Sequence, residues 1–234
     1  MRSVVSSPEV NPELKLADTS LKGSCGVLIP AYNEEATVRT IIEVAKAAQL
    51  GPVLVVDDGS SDGTGSIAEN AGANVLRLGE NQGKGGAVHA GASALETEVV
   101  ILVDADLTGL TPEHLHTLAR PVLEHRVDMT RGDFSGGRWR TTAAQRITPQ
   151  LNGQRAILRE KLLSIPGLRE SRYGIEIAIT ETAKKDAWRT QKVPLENVSQ
   201  VMKEEKRGFL QGLQIRLGMY RDILQTWLKN RVNN

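Results

Sequence analysis

The chain has 234 residues, of which 40% are hydrophobic, and carries 29 basic against 28 acidic side chains. These values suit one α/β domain with short tails and leave too little net field for nucleic-acid binding driven by bulk charge. The lone cysteine, Cys25, excludes a disulfide framework or zinc cluster, and no run approaches the ~18 apolar residues of a membrane span. A cytoplasmic protein is expected.

Residues 1–22, with Ser6, Ser7, Pro8 and Pro12, show no helical or strand periodicity and are expected to form a flexible leader. From Gly26 onward, apolar runs of four to six residues alternate with segments of helical spacing, which predicts a mostly parallel, helix-covered sheet. Gly26–Ile29 is the first expected strand, ending at Pro30 and followed by a helix over 34–49. Val53–Val56 is the second, ending in Asp57-Asp58-Gly59-Ser60-Ser61-Asp62-Gly63-Thr64 before a helix to Ala71. Asn74–Leu78 leads through Gly83-Lys84-Gly85-Gly86 into a small-residue helix to Ala94. Val99–Val103 stops at Asp104-Ala105-Asp106, with a helix expected over 113–124. Polar or glycine-rich residues thus stand where four strands end, the place where open α/β sheets bind ligands.

The second half is less regular. Its expected elements are a strand at 128–131, a glycine-containing loop at 132–138, helices at 153–163 and 174–184, and a strand at 190–193. A long helix over 207–231 carries Leu210, Leu213, Leu217, Tyr220, Leu224 and Trp227 at helical spacing. This amphipathic stripe suits packing on the domain, a homodimer contact or an anionic membrane surface. His89, His114, His116 and His125 are expected in helices, structural or exposed.

Asp104 and Asp106 lie two apart at a strand end, so an extended backbone would turn both carboxylates to one side. Such a pair suits Mg²⁺ or Mn²⁺, whose remaining ligands commonly include water and substrate phosphate. Asp57 and Asp58 suit either turn formation and capping, with Asp62 as the expected N-cap, or acceptance of hydrogen bonds from a nucleobase. The Gly83–Gly86 segment allows close backbone approach to phosphate, with Lys84 adding a positive charge.

Pro30-Ala31-Tyr32-Asn33-Glu34-Glu35, the Asp57–Thr64 run, Asn81-Gln82-Gly83-Lys84-Gly85 and Asp104-Ala105-Asp106-Leu107 stand together in an order that resembles family 2 glycosyltransferases. The similarity runs over about residues 25–202, and its first half is most like the branch of polyprenyl-phosphate mannosyl- and glucosyltransferases. The resemblance implies a GT-A fold over 23–206, a UDP- or GDP-sugar donor, Mg²⁺ or Mn²⁺, and transfer with inversion. It implies donor contacts from Pro30, Ala31, Tyr32, Glu34, Asp57, Asp58, Lys84, Asp104 and Ala105, with Asp104 and Asp106 as metal ligands. Asp106 and Glu176, in Tyr173-Gly174-Ile175-Glu176, match catalytic positions; Glu176 would be the general base for a hydroxyl acceptor.

Gln200 departs from the pattern, since related enzymes often carry a histidine there. Arg155, Gln200 and Lys203 are candidates for acceptor or diphosphate contact, and Arg138-Trp139-Arg140 for acceptor or membrane contact. The acceptor stays open between a polyprenyl phosphate, a glycan hydroxyl and a small soluble acid. Two rival readings also stay open. A sugar-phosphate nucleotidyltransferase would show an arginine-containing glycine-rich loop in place of Pro30–Glu35; a non-catalytic nucleotide-sugar-binding module would tolerate the Gln200 departure.

Overall fold

The computed structural model describes residues 13–15, 21–135 and 153–200. The strands are β1 (Glu13–Lys15), β2 (Lys22–Ala31), β3 (Val53–Asp57), β4 (Asn74–Arg77), β5 (Glu96–Leu102), β6 (Leu107–Thr108), β7 (Met129–Ser135), β8 (Arg155–Leu158), β9 (Thr190–Glu196) and β10 (Ser199–Gln200), with valine-, isoleucine- and leucine-rich runs in β2, β3 and β5. The helices are α1 (Val38–Ala47), α2 (Thr64–Asn70), α3 (Gly83–Ala94), α4 (Pro112–Leu123), α5 (Arg159–Leu163) and α6 (Ile175–Lys185), with a 3₁₀ segment at Arg169–Gly174.

Eight strands form one sheet in the order β1-β4-β3-β2-β5-β8-β7-β9. Neighbours from β4 to β5 are parallel, β8 runs antiparallel between β5 and β7, and β9 runs parallel to β7. Every residue of β3 is buried, as expected of a strand covered on both faces. Alternation divides β2 between two cores: Val27 and Ile29 face the layer of α1, α2 and α4, while Leu28 faces that of α3, α5 and α6. In α1, Val38, Ile41, Ile42 and Ala45 recur at helical spacing and turn inward. Cys25 lies fully buried in β2, and burial pushes its thiol up to about 12. Among the described residues no helix is long and apolar enough to cross a membrane.

Five expectations need correction. Residues 13–15, read as part of a patternless leader, pair antiparallel with β4. Residues 153–163 hold the strand β8 ahead of a short helix, because Ala156 and Ile157 are buried in opposite cores and fill the slot between β5 and β7. Residues 132–135, expected as loop, continue β7 alongside β9. Finally, His125 lies beyond the C-cap of α4 with φ of 54°, outside any helix. The strand expected to stop at Val193 also continues through Pro194, which an edge strand accommodates. The expected helix at 207–231, together with Lys203 and Arg138–Arg140, lies outside the described residues.

Candidate active site

The carboxyl ends of β2, β3 and β5 converge on one rim of the sheet. At the end of β2, the Asn33 N–H donates to Ser60 Oγ at 3.0 Å and the Glu34 N–H to Thr64 Oγ1 at 2.8 Å, which ties this turn to the loop after β3. The Asp58 N–H donates to the Ala31 carbonyl at 2.9 Å, extending the same join. Tyr32 stands at this rim 39% exposed, an aromatic face open to a planar ligand.

The paired aspartates after β3 do two different jobs. Asp57 accepts the Ser60 N–H at 3.0 Å and meets the Arg77 guanidinium at 3.4 Å. Asp58 accepts the N–H groups of Gln82 and Gly83 at 2.8 and 2.9 Å, so a carboxylate already occupies the positive end of α3. Of the Gly83–Gly86 segment expected to approach phosphate, the Gly83 N–H is thus taken within the fold. Asp62 accepts the N–H of Thr64 at 3.0 Å, although the N-cap position of α2 belongs to Gly63.

Lys84, in the first turn of α3, reaches across the rim. Its ammonium meets Asp104 Oδ1 at 2.6 Å and Glu176 Oε1 at 2.5 Å, joining residues from three separate parts of the chain. Burial alone would push this ammonium down, but the two carboxylates hold it well above the ordinary lysine value. Lys84 therefore remains charged across the neutral range. The other carboxylate oxygen of Asp104 accepts the Gln200 Nε2–H at 2.8 Å. Gln200 gets there because β10 pairs with β6, placing it opposite Leu107, one residue beyond Asp106. Gly109 makes that clip close: its φ is 74°, and a side chain there would overlap the Asn197 carbonyl.

The strand does not run through the aspartate motif. β5 ends at Leu102 and a turn begins at Ala105, so strand alternation does not set the relation between Asp104, which is buried, and Asp106, which is half-buried. Among the described residues no group of three or more His, Cys, Asp or Glu is arranged to hold an ion.

Arg155 also differs from expectation. It is fully buried, and its guanidinium donates to the Glu176 carbonyl at 3.3 Å and to Thr180 Oγ1 at 3.2 Å. The burial pulls this guanidinium down to about 10, with Glu176 opposing the shift and Arg131 adding to it. It braces the start of α6 from inside the protein. The close approach of Gly153 to the rim was not read from the sequence: a Cβ on it would lie 2.7 Å from Lys84 Nζ and 2.8 Å from Asp104 Oδ2. A glycine before a strand gives no such signal by itself.

The model of glycosyl transferase family 2 matches residues 26–179. Glycosyltransferase AglJ of Haloferax volcanii is 32% identical over 186 residues, covering 72% of this chain and 61% of that protein. An undecaprenyl-phosphate 4-deoxy-4-formamido-L-arabinose transferase of Serratia proteamaculans is 33% identical over 135 residues, 52% of this chain and 40% of its own length. The chain thus spans less than two thirds of these relatives. The crystal structure of glucosyl-3-phosphoglycerate synthase from Mycobacterium tuberculosis, with Mn²⁺, uridine diphosphate and glucosyl-3-phosphoglycerate, superposes with a TM-score of 0.69. It is 26% identical, and the match covers 88% of this chain and 79% of that one. The mixed sheet flanked by helices is accordingly a GT-A fold.

Proposed function

This chain belongs to glycosyl transferase family 2, and on that premise we propose that it transfers a sugar from a nucleoside-diphosphate sugar to an oxygen acceptor. The observation that carries the reading is the Lys84 bridge between Asp104, beyond the end of β5, and Glu176, at the start of α6. It gathers a strand-end carboxylate, a fixed cation and a second carboxylate at one rim. Tyr32, Glu34, Asp57 and Asp58 border that rim and would shape the place of the nucleoside, with Pro30, Ala31 and Ala105 forming its backbone floor. A uridine donor is supported by the uridine diphosphate in the mycobacterial structure; a guanosine donor remains the alternative for titration.

Asp104 and Asp106 would hold Mg²⁺ or Mn²⁺. The residues fit a hard ion with open positions: two neighbouring carboxylates are present, and Asp104 already has positive charge against it in Lys84. When bound, such an ion supplies neutralisation of the charge that builds on a departing diphosphate. Lys84 contributes a second positive charge at the same rim, fixed before the reaction begins. Gln200 orients the Asp104 carboxylate through its amide N–H.

Glu176 would take the proton from an acceptor hydroxyl, while Arg155 holds its backbone from inside the protein. A phosphate acceptor needs no such base. The two relatives whose names specify an acceptor or product, an undecaprenyl-phosphate transferase and a phosphoglycerate glucosyltransferase, both involve phosphorylated molecules. Release of UDP from UDP-glucose with Mn²⁺ tests the reading, using 3-phosphoglycerate and undecaprenyl phosphate as acceptors. Acceptor-dependent release that falls at least a hundredfold in Asp104→Asn supports transfer. A folded protein that binds UDP-glucose but never releases UDP supports a binding module instead.

A further inference from the structure

Away from the donor rim, a cleft of about 590 Å³ opens between α6 and the β7–β9 edge of the sheet. Its floor is a row of cations. Arg155 on β8 stands directly across from Arg131 on β7, and Arg131 directly across from Lys192 on β9. Residues in register on neighbouring strands turn their side chains to the same face, and like charges placed so oppose one another. Lys184, from the covering helix, adds a fourth cation to the lining.

No acidic residue lines this cleft among the described residues. Of the nearby carboxylates, Asp128 meets Arg189 at 2.8 Å, Glu181 offsets Lys184 at 2.8 Å on the exposed side of α6, and Glu176 acts on Arg155, which leaves Arg131 and Lys192 as the cations to be balanced. Among the described residues neither Arg131 nor Lys192 has an ion-pair partner. Met129 and the buried Trp188 form an apolar wall beside the row. Lys84, Asp104, Asp106 and Gln200 take no part in the lining, so the cleft is distinct from the donor rim.

We propose that this cleft is an anion site that takes a phosphate monoester, with Arg131 and Lys192 holding the phosphate and Trp188 the adjoining apolar part. Guanidinium is suited to this because its planar fork meets two phosphate oxygens together, and the ammonium adds a point charge. A bound phosphate would relieve the repulsion along the row. It would also sit beside Arg155, whose guanidinium holds the Glu176 carbonyl, so occupancy is linked by one side chain to the start of α6. Such a phosphate comes either from a soluble metabolite or from a lipid headgroup.

The test is calorimetric titration of the full chain with phenyl phosphate and inorganic phosphate, in EDTA and at physiological salt, so that no divalent ion supports phosphate at the donor rim. Saturable binding is expected, with phenyl phosphate the tighter ligand. It should weaken at least tenfold in Arg131→Gln/Lys192→Gln and stay unchanged in Asp106→Ala. Lys184→Gln, at an exposed helix position, gives a variant that keeps the sheet intact and should weaken binding severalfold. Co-sedimentation with vesicles containing phosphatidic acid, lost in the double variant, would identify a lipid headgroup as the occupant; phosphate binding without co-sedimentation would identify a soluble one. The proposal is overturned if the folded wild-type chain binds neither phosphate nor vesicles. It is equally overturned if binding survives in the cleft variants and is lost in Asp106→Ala, which would send the anion to the donor rim.

Discussion

Gly153→Ala tests the Lys84–Asp104 contact without disturbing the backbone around it. Gly153 is buried, and its backbone lies outside the left-handed region, so alanine is compatible with its conformation. The added methyl, however, would lie 2.7 Å from Lys84 Nζ and 2.8 and 2.9 Å from the two carboxylate oxygens of Asp104. These are ends of flexible side chains, so they yield instead of the backbone. Replacing glycine by alanine also restricts the unfolded chain, worth about 0.4–1 kcal/mol in favour of folding. Loss of the Lys84–Asp104 contact works against this gain, so net stability should fall by about 1–2 kcal/mol. The Lys84–Asp104 contact should break; charge-assisted hydrogen bonds are worth about 1.5–3 kcal/mol, or roughly one to two powers of ten in binding. Titration of UDP with Mn²⁺, beside a urea melt, reads both quantities. An unchanged UDP affinity in a variant that folds normally would refute the idea that this contact organises the site.

Asp58→Ala removes the carboxylate that accepts two N–H groups at the start of α3, and should cost about 2–3 kcal/mol in urea unfolding, at the upper end of capping effects. In contrast, His114 should make stability depend on pH. Its Nδ1 accepts the Thr111 N–H at 3.1 Å in the capping box of α4, which only a neutral imidazole does. Burial lowers its pKa, with Glu113 and Glu196 opposing, from the ordinary 6.5. The unfolded chain then binds the proton more readily, so this contribution is complete above pH 6.5 and declines as the pH falls towards the folded value. His114→Ala should be about 1 kcal/mol less stable than wild type at pH 7.5, with the difference shrinking at pH 5. A gap that widens on acidification would contradict this account.

The first half of the fold was legible because its strands are short, apolar and separated by helices with clear inward faces. Val53–Val56 and Val38-Ile41-Ile42-Ala45 define their elements without ambiguity. The rim residues were legible for the same reason, since strand ends gather Asp57, Asp58 and Asp104 whatever the details of the loops. β8 was not, because Ala156, Ile157 and Leu162 fit a helical stripe as well as a strand, and only the gap between β5 and β7 decides between them. The depth of Arg155 was not legible, because one sequence position does not report burial; its place in the buried strand fixes its contacts with α6. The Lys84 bridge depends on contacts 20 and 92 positions away, at Asp104 and Glu176, and follows only from the folded chain. Gln200 was singled out in the sequence as a departure from the family pattern, but its hydrogen bond to Asp104 depends on the β6–β10 clip.

The central claim, a metal-assisted nucleotide-sugar site at the β5 end, is tested most directly by isothermal titration of the full chain with UDP-glucose and GDP-mannose. Each is titrated with Mn²⁺ and with EDTA, in wild type and Asp106→Ala. The account predicts saturable binding of one donor that requires Mn²⁺ and is lost in the variant. Binding of equal strength in EDTA, or in Asp106→Ala, would contradict it.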